Sequence, residues 1–242
     1  MDDSGRYARI VRLIDELGGA ASAPGVVGRL IQLCTTVVRS LPAAGAGVVL
    51  MSPGVPGGVV AASDPTSNRL LELQITLGEG PCLDAYESRR PVLEPDLPGA
   101  GQRRWPAYAT ALSEHGMRAV FAIPLQIGGA RLGVMDIYRA ESGPLPVQTL
   151  SDAFGFGEVA VGTLLDGQAA VPEGGIDADL ADALAYRTEV YQAQGMVMVH
   201  LGVDLAEAIV RLRAHAFAQN RPLSEVSADV LAGRLRLERD DA

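Results

Sequence analysis

Gly128-Gly129 separates two apolar runs, MRAVFAIPLQI (117–127) and ARLGVMDIYRA (130–140). Both glycines can take positive φ, as a two-residue hairpin turn requires, so the spacing predicts an antiparallel hairpin. A second pair of runs, AGAGVVLMS in the 43–52 region and GVVAAS at 58–63, flanks a Pro/Gly segment and reads as a hairpin with a longer loop. Strands joined by hairpins pair antiparallel, which commits this part of the chain to an antiparallel sheet. Between the two hairpins, LLELQITLGEGPCLDAYESRRPVLEPDLPGAGQRRWPAYATALSEHG mixes short helices and loops.

Helices flank the strands. Ile10, Leu13, Ile14 and Leu17 follow the i, i+3, i+4, i+7 pattern of an amphipathic helix over 6–17, which Gly18 and Gly19 end. A second helix is expected from about Val26 to Leu41, with Val27, Leu30, Leu33, Cys34, Val37 and Leu41 on one side. A third follows Pro144 and Pro146, from Val147 to about Asp166. QAAVPEGG (168–175) is small and Pro/Gly-containing, and reads as a linker. Beyond it the pattern is purely helical: one long helix ending at Gly202, then DLAEAIVRLRAHAFAQN, then PLSEVSADVLAGRL. Residues 1–167 therefore read as α+β, an antiparallel sheet with flanking helices, and residues 176–236 as an all-α three-helix unit.

Composition narrows the function. Apolar residues are 48% and charged residues 20% of the 242, enough for a core and too apolar for wholesale disorder. The net charge is −9, and every basic residue is Arg. Such a chain has no general attraction to nucleic acid, so any binding must come from a local arrangement. Cys34 and Cys82 have no metal-ligand spacing and make no disulfide framework, which suits a reducing compartment. The start, MDDSGRYARIVRLIDELGG, lacks the apolar run of a signal peptide, and no stretch approaches the ~18 apolar residues of a membrane span. A cytoplasmic location away from membranes is the expectation. There is no P-loop, GxSxG elbow or paired-His motif, and His115, His200 and His215 show no metal spacing. A non-enzymatic role without cofactor or metal is expected.

ALAYRTEVYQAQGMVMVHLGVDLAEAIVRLRAHAFAQNRPLSEVSADVL, Ala183 to Leu231, resembles the ANTAR family of RNA-binding domains. Arg187, Val190 and the run Ala193-Gln194-Gly195-Met196-Val197-Met198 carry the resemblance. The family often has Lys at the place of Gln194 and Ala at the place of Ser227. GEGPCLDAY (78–86), RWPAYA (104–109) and RAVFAIPLQIGGARLGVMDIY (118–138) resemble GAF domains of the type fused to ANTAR domains in actinobacteria. The resemblance implies a sensor whose output domain binds paired RNA hairpins and prevents transcription termination.

Candidate RNA-binding residues follow from it: Arg187, Gln194, Arg211, Arg213 and Arg221. Arg187 and Gln194 are seven apart and project the same way from the long helix. Asp204 and Glu207 form a D-x-x-E capping box at the start of the next helix, where Leu205, Ala208, Ile209, Leu212 and Ala216 make the buried face. Arg211 and Arg213 lie off that stripe and are expected in water; Arg221 sits in the following turn. A guanidinium pairs with phosphate or stacks on an unpaired base; the competing role is a solvated face or internal ion pairs. Between Ile176 and Arg239 seven Arg face nine acidic residues, a net of −2, so the arginines must cluster or two units must act together.

In the α+β part, Cys82, Asp136 and Tyr138 are the candidate sensor or ligand-pocket residues. Pro81 favours a helix start at Cys82, where the helix dipole lowers a thiol pKa. Redox sensing, a nucleophile, or packing under the loop are the roles open to it. Asp136 and Tyr138 project to one strand face, as pocket lining or as solvent-facing polar positions. Trp105 is either an anchor or a ligand platform. The expected protein is a homodimer that uses the helices at 6–17 and 147–166, with RNA hairpin loops as partner and room for an unidentified small-molecule ligand. The rival is a small-molecule or redox sensor acting through a protein partner; a third reading is a reductase of the free methionine sulfoxide class.

Overall fold

The computed structural model describes residues 3–18, 25–52, 55–169 and 178–238. Five strands, β1 (Gly45–Ser52), β2 (Val55–Ala62), β3 (Val92–Glu94), β4 (Ala119–Ile127) and β5 (Ala130–Arg139), form one sheet in the order β2-β1-β5-β4-β3. Every pairing is antiparallel. The Gly128-Gly129 hairpin forms with Ile127 opposite Ala130, and a register shift at Leu125/Gln126 bends its tip.

Strand alternation gives the sheet two apolar faces. Val48, Leu50, Phe121, Ile123, Met135 and Ile137 point one way, onto α1 (Asp3–Leu17), α2 (Gly25–Ser40) and α7 (Val147–Ala169). The stripes of α1 and α7 meet each other and α2 there: Ile10, Ile14, Phe156 and Val159 are buried. Val49, Val120, Val134 and Tyr138 point the other way, onto α3 (Pro65–Leu77), α4 (Pro81–Ser88) and α6 (Pro106–Glu114). A π-helical turn at Leu97–Gly101 and a single turn, α5 (Gln102–Arg104), lead into α6.

Three helices follow: α8 (Ala178–Leu201), α9 (Leu205–Ala218) and α10 (Leu223–Leu231). Of the expected linker, Gln168 and Ala169 are the last residues of α7, and residues 170–175 lie outside the described residues. Val190, Ala193, Val197, Ala208, Leu212, Leu223 and Val226 form the three-helix core, which is continuous with the core of the α3 side of the sheet. α8 runs beside β2 and covers that edge strand, whose ladder groups would otherwise offer a pairing template. α9 and α10 rest on α3. The expected capping box at Asp204 is one-sided. Asp204 Oδ1 accepts from Glu207 N at 2.8 Å, but the Glu207 carboxylate turns to Arg211 instead.

Candidate functional site

The segment GEGPC closes one helix, caps a second and starts a third. Gly78 ends α3 at φ 72°, its N–H returning to Gln74 O. Glu79 Oε1 accepts the N–H groups of Ala107 and Tyr108 at 2.8 and 2.9 Å, capping α6. Gly80 has φ 145°, and a Cβ there would collide with the Gln74 side chain. Pro81 opens α4, and Asp84 in its first turn accepts from Trp105 Nε1 and pairs with Arg104. Trp105 is buried and anchored by that bond.

Gln74 joins the segment to the sheet. Its Oε1 accepts Cys82 N–H at 2.8 Å, and its Nε2 donates to Asp136 Oδ2 at 2.6 Å. Tyr138 OH donates to the same oxygen at 3.3 Å. Gln74, Cys82, Tyr108, Asp136 and Tyr138 are all fully buried. Asp136 Oδ1 has no partner among the described residues. Burial raises the Asp136 pKa from 3.8 to about 7, against the opposing hydrogen bonds from Gln74 and Tyr138. The structure thus brings Cys82, Asp136 and Tyr138 together, and Asp136 faces neither solvent nor an open cleft.

The expected lowering of the Cys82 thiol pKa does not occur. Burial first, and the Asp136 carboxyl second, push it well above 9.0; the dipole of a two-turn helix cannot outweigh complete loss of water. Burial raises Cys34 to about 12. Both cysteines are protonated and inaccessible in this conformation, so neither offers a thiolate for reductase chemistry.

The C-terminal arginines are engaged. Arg211 pairs with Glu207 at 3.0 Å. Arg221 binds Asp229 at 2.7 Å and Glu225 at 3.2 Å, and Arg234 shares Asp229. Arg213 was expected in water, yet it is half-buried with its guanidinium over Gly78. The physical reason is that α9 has a second covered face, toward α3. Gln194 is buried and donates to Leu205 O at 2.6 Å, which ties α8 to the start of α9 and keeps its amide from solvent. The side chain of Arg187 lies outside the described residues.

A cleft of about 340 Å³ runs along the seam, with Leu70, Glu72, Leu73 and Glu114 on one wall and Phe217 and Arg221 on the other. Arg69 Nη2 crosses the seam to Asn220 Oδ1 at 2.9 Å. Sequence reasoning missed Gln74 and Phe217. An uncharged polar residue inside the apolar face Leu70, Leu71, Ile75 was the signal for the first; an aromatic off the stripe of α9 was the signal for the second. Among the described residues no group of three His, Cys, Asp or Glu could hold a metal, and no helix is long and apolar enough to cross a membrane.

Two family models match: the GAF domain over residues 27–151 and the ANTAR domain over 178–231. Among solved structures, the GAF domain of a phosphoenolpyruvate-protein phosphotransferase from Coxiella burnetii is 19% identical at a TM-score of 0.51, covering 69% of this chain and 98% of that one. The corresponding domain from Acinetobacter is 13% identical, TM-score 0.50, with coverages of 70% and 98%. The free methionine-R-sulfoxide reductase from Neisseria meningitidis in complex with its substrate is 13% identical, TM-score 0.50, with coverages of 68% and 93%. At these identities the likeness is one of fold. No curated protein sequence matches the chain.

Proposed function

The chain belongs to the GAF domain family and carries a C-terminal ANTAR domain, and from that pairing we propose a signal-responsive RNA-binding regulator of transcription antitermination. Both are regulatory rather than catalytic domains. The observation that carries the reading is the ANTAR match over 178–231, which takes in α8, α9 and α10 almost entirely. In this reading the ANTAR domain grips unpaired loops of RNA hairpins through Arg187, Arg211, Arg213 and Arg221, and works inside the cell. A homodimer presents two such units, and two weak sites joined at the right spacing gain ~10²–10⁴ in effective affinity. A signal at the GAF domain, such as a small ligand, shifts how the units are held. In this reading residues 1–167 form the sensory domain and residues 176–236 the RNA-binding domain.

Crosslinking in the protein's own cells, followed by sequencing, supplies the RNA. Anisotropy with a two-hairpin member of that set should show affinity falling as salt rises, because each neutralised phosphate releases counterion. Arg211→Ala with Arg221→Ala should weaken it about tenfold or more with helicity unchanged. RNA that binds this variant as it binds the wild type, or that shows no salt dependence, refutes the reading. The second reading, a sensor acting on a protein partner, draws on the internal pairing of Arg211, Arg221 and Arg234 with carboxylates. It requires that no RNA be recovered.

A further inference from the structure

α9 has two faces with different chemistry. Ala208, Leu212 and Ala216 fill the three-helix core. Val210, Arg213 and Phe217 are spaced i, i+3, i+7, so they share another face. Glu207 is the one acidic residue of α9, and its carboxylate is paired with Arg211. Phe217 is 54% exposed and Val210 58% exposed, although both sit on a helix that packs against α3. An exposed aromatic ring with an arginine one turn before it, Arg213, suits an unpaired base with its flanking phosphate.

The opposite wall of the seam belongs to the GAF domain and carries charges of both signs, Arg69 beside Glu72 and Glu114. Glu72 and Glu114 line the cleft that Phe217 and Arg221 also line. Glu72 also faces Glu225 of α10. Burial, with that like charge adding to it, raises the Glu72 pKa, while Asn68 and the Arg69 charge oppose the shift. The seam therefore combines a partly unfilled cleft, an exposed ring and facing carboxylates, held by contacts such as Arg69–Asn220 and Arg213 over Gly78. An RNA loop cannot reach Arg213 while the Gly78 turn lies against it.

We propose that the α9 surface carrying Arg213 and Phe217 takes unpaired RNA bases, and that the Gly78 turn at the end of α3 holds Arg213 in this conformation, so RNA and the GAF domain compete for Arg213. This rests on the RNA-binding reading above. Apparent affinity is the intrinsic affinity reduced by the open fraction. Changes confined to the GAF wall should therefore tighten RNA binding without touching the RNA-contacting face.

The test uses the full chain and a fluorescein-labelled two-hairpin RNA from the crosslinked set. Leu73→Glu adds a carboxylate to the GAF wall of the seam; Arg69→Ala removes the bond to Asn220 at an exposed position and serves if the first variant folds poorly. Each should bind the RNA about tenfold more tightly than wild type. In the Arg69→Ala background, Phe217→Ala should weaken binding about tenfold, on the order of one stacked base. The same substitution should have no effect on an RNA whose loop nucleotides are abasic. RNA binding that is equal in wild type and both GAF-wall variants overturns the competition and leaves the RNA-binding reading standing. A Phe217→Ala loss that persists with abasic loops overturns the base-stacking role. Absence of RNA binding in every variant sinks the proposed function itself, and this inference with it.

Discussion

Asp136→Asn tests the buried carboxyl at the centre of the GAF domain. In the native protein Asp136 holds its proton up to about pH 7, whereas the unfolded chain releases it near 3.8. The native state thus binds the proton more tightly, and stability from this group falls as pH rises. The contribution is fully present below pH 4, declines through the interval, and is gone above pH 7. The gap corresponds to about 4 kcal/mol, at about 1.4 kcal/mol per tenfold difference in proton affinity. Asparagine keeps the shape and cannot ionise. Its Oδ1 can accept from Gln74 and Tyr138 as Asp136 Oδ2 does, leaving Nδ2 where an unpartnered oxygen now sits. Urea unfolding at constant ionic strength from pH 5 to 8.5 should show wild type losing stability relative to Asp136→Asn, by about 2–4 kcal/mol across that range. Asp136→Asn should be the more stable protein at pH 8. Parallel curves would refute the reasoning, since Asp136 would then hold one protonation state throughout.

Other consequences are simpler to check. Cys34 and Cys82 are both buried thiols, so iodoacetamide at pH 7 should label neither until the protein is unfolded; rapid native labelling of Cys82 would restore a sensing role for its thiol. Ser227 is fully buried and its hydroxyl has no partner among the described residues. Ser227→Ala should therefore stabilise the protein by about 1 kcal/mol in chemical denaturation, and a loss would show that the hydroxyl is satisfied in solution. Light scattering at tens of micromolar should find a homodimer, which needs roughly −6 to −7 kcal/mol of association energy. A monomer at that concentration would remove the two-unit mechanism.

What the sequence revealed of this fold is what local periodicity can carry. Ile10, Ile14 and the run from Ala119 to Arg139 declare helix and strand by their spacing, because one buried face imposes a period on its own element. β3 has three residues, too few for any period to register. Arg213 shows a deeper limit. A helix with one apolar stripe leaves every other position to be read as solvated, yet α9 is covered on two sides, and the second cover is a GAF helix more than 130 residues earlier in the chain. Cys82 fails for a related reason: the helix dipole is local and visible in sequence, while the desolvation that defeats it comes from the sheet and α6. Gln74 was the legible exception that went unread. A neutral polar side chain among Leu70, Leu71 and Ile75 must find partners or cost stability. It finds them in the Gly-rich turn, at the Cys82 N–H, and in the lone carboxylate of β5, Asp136.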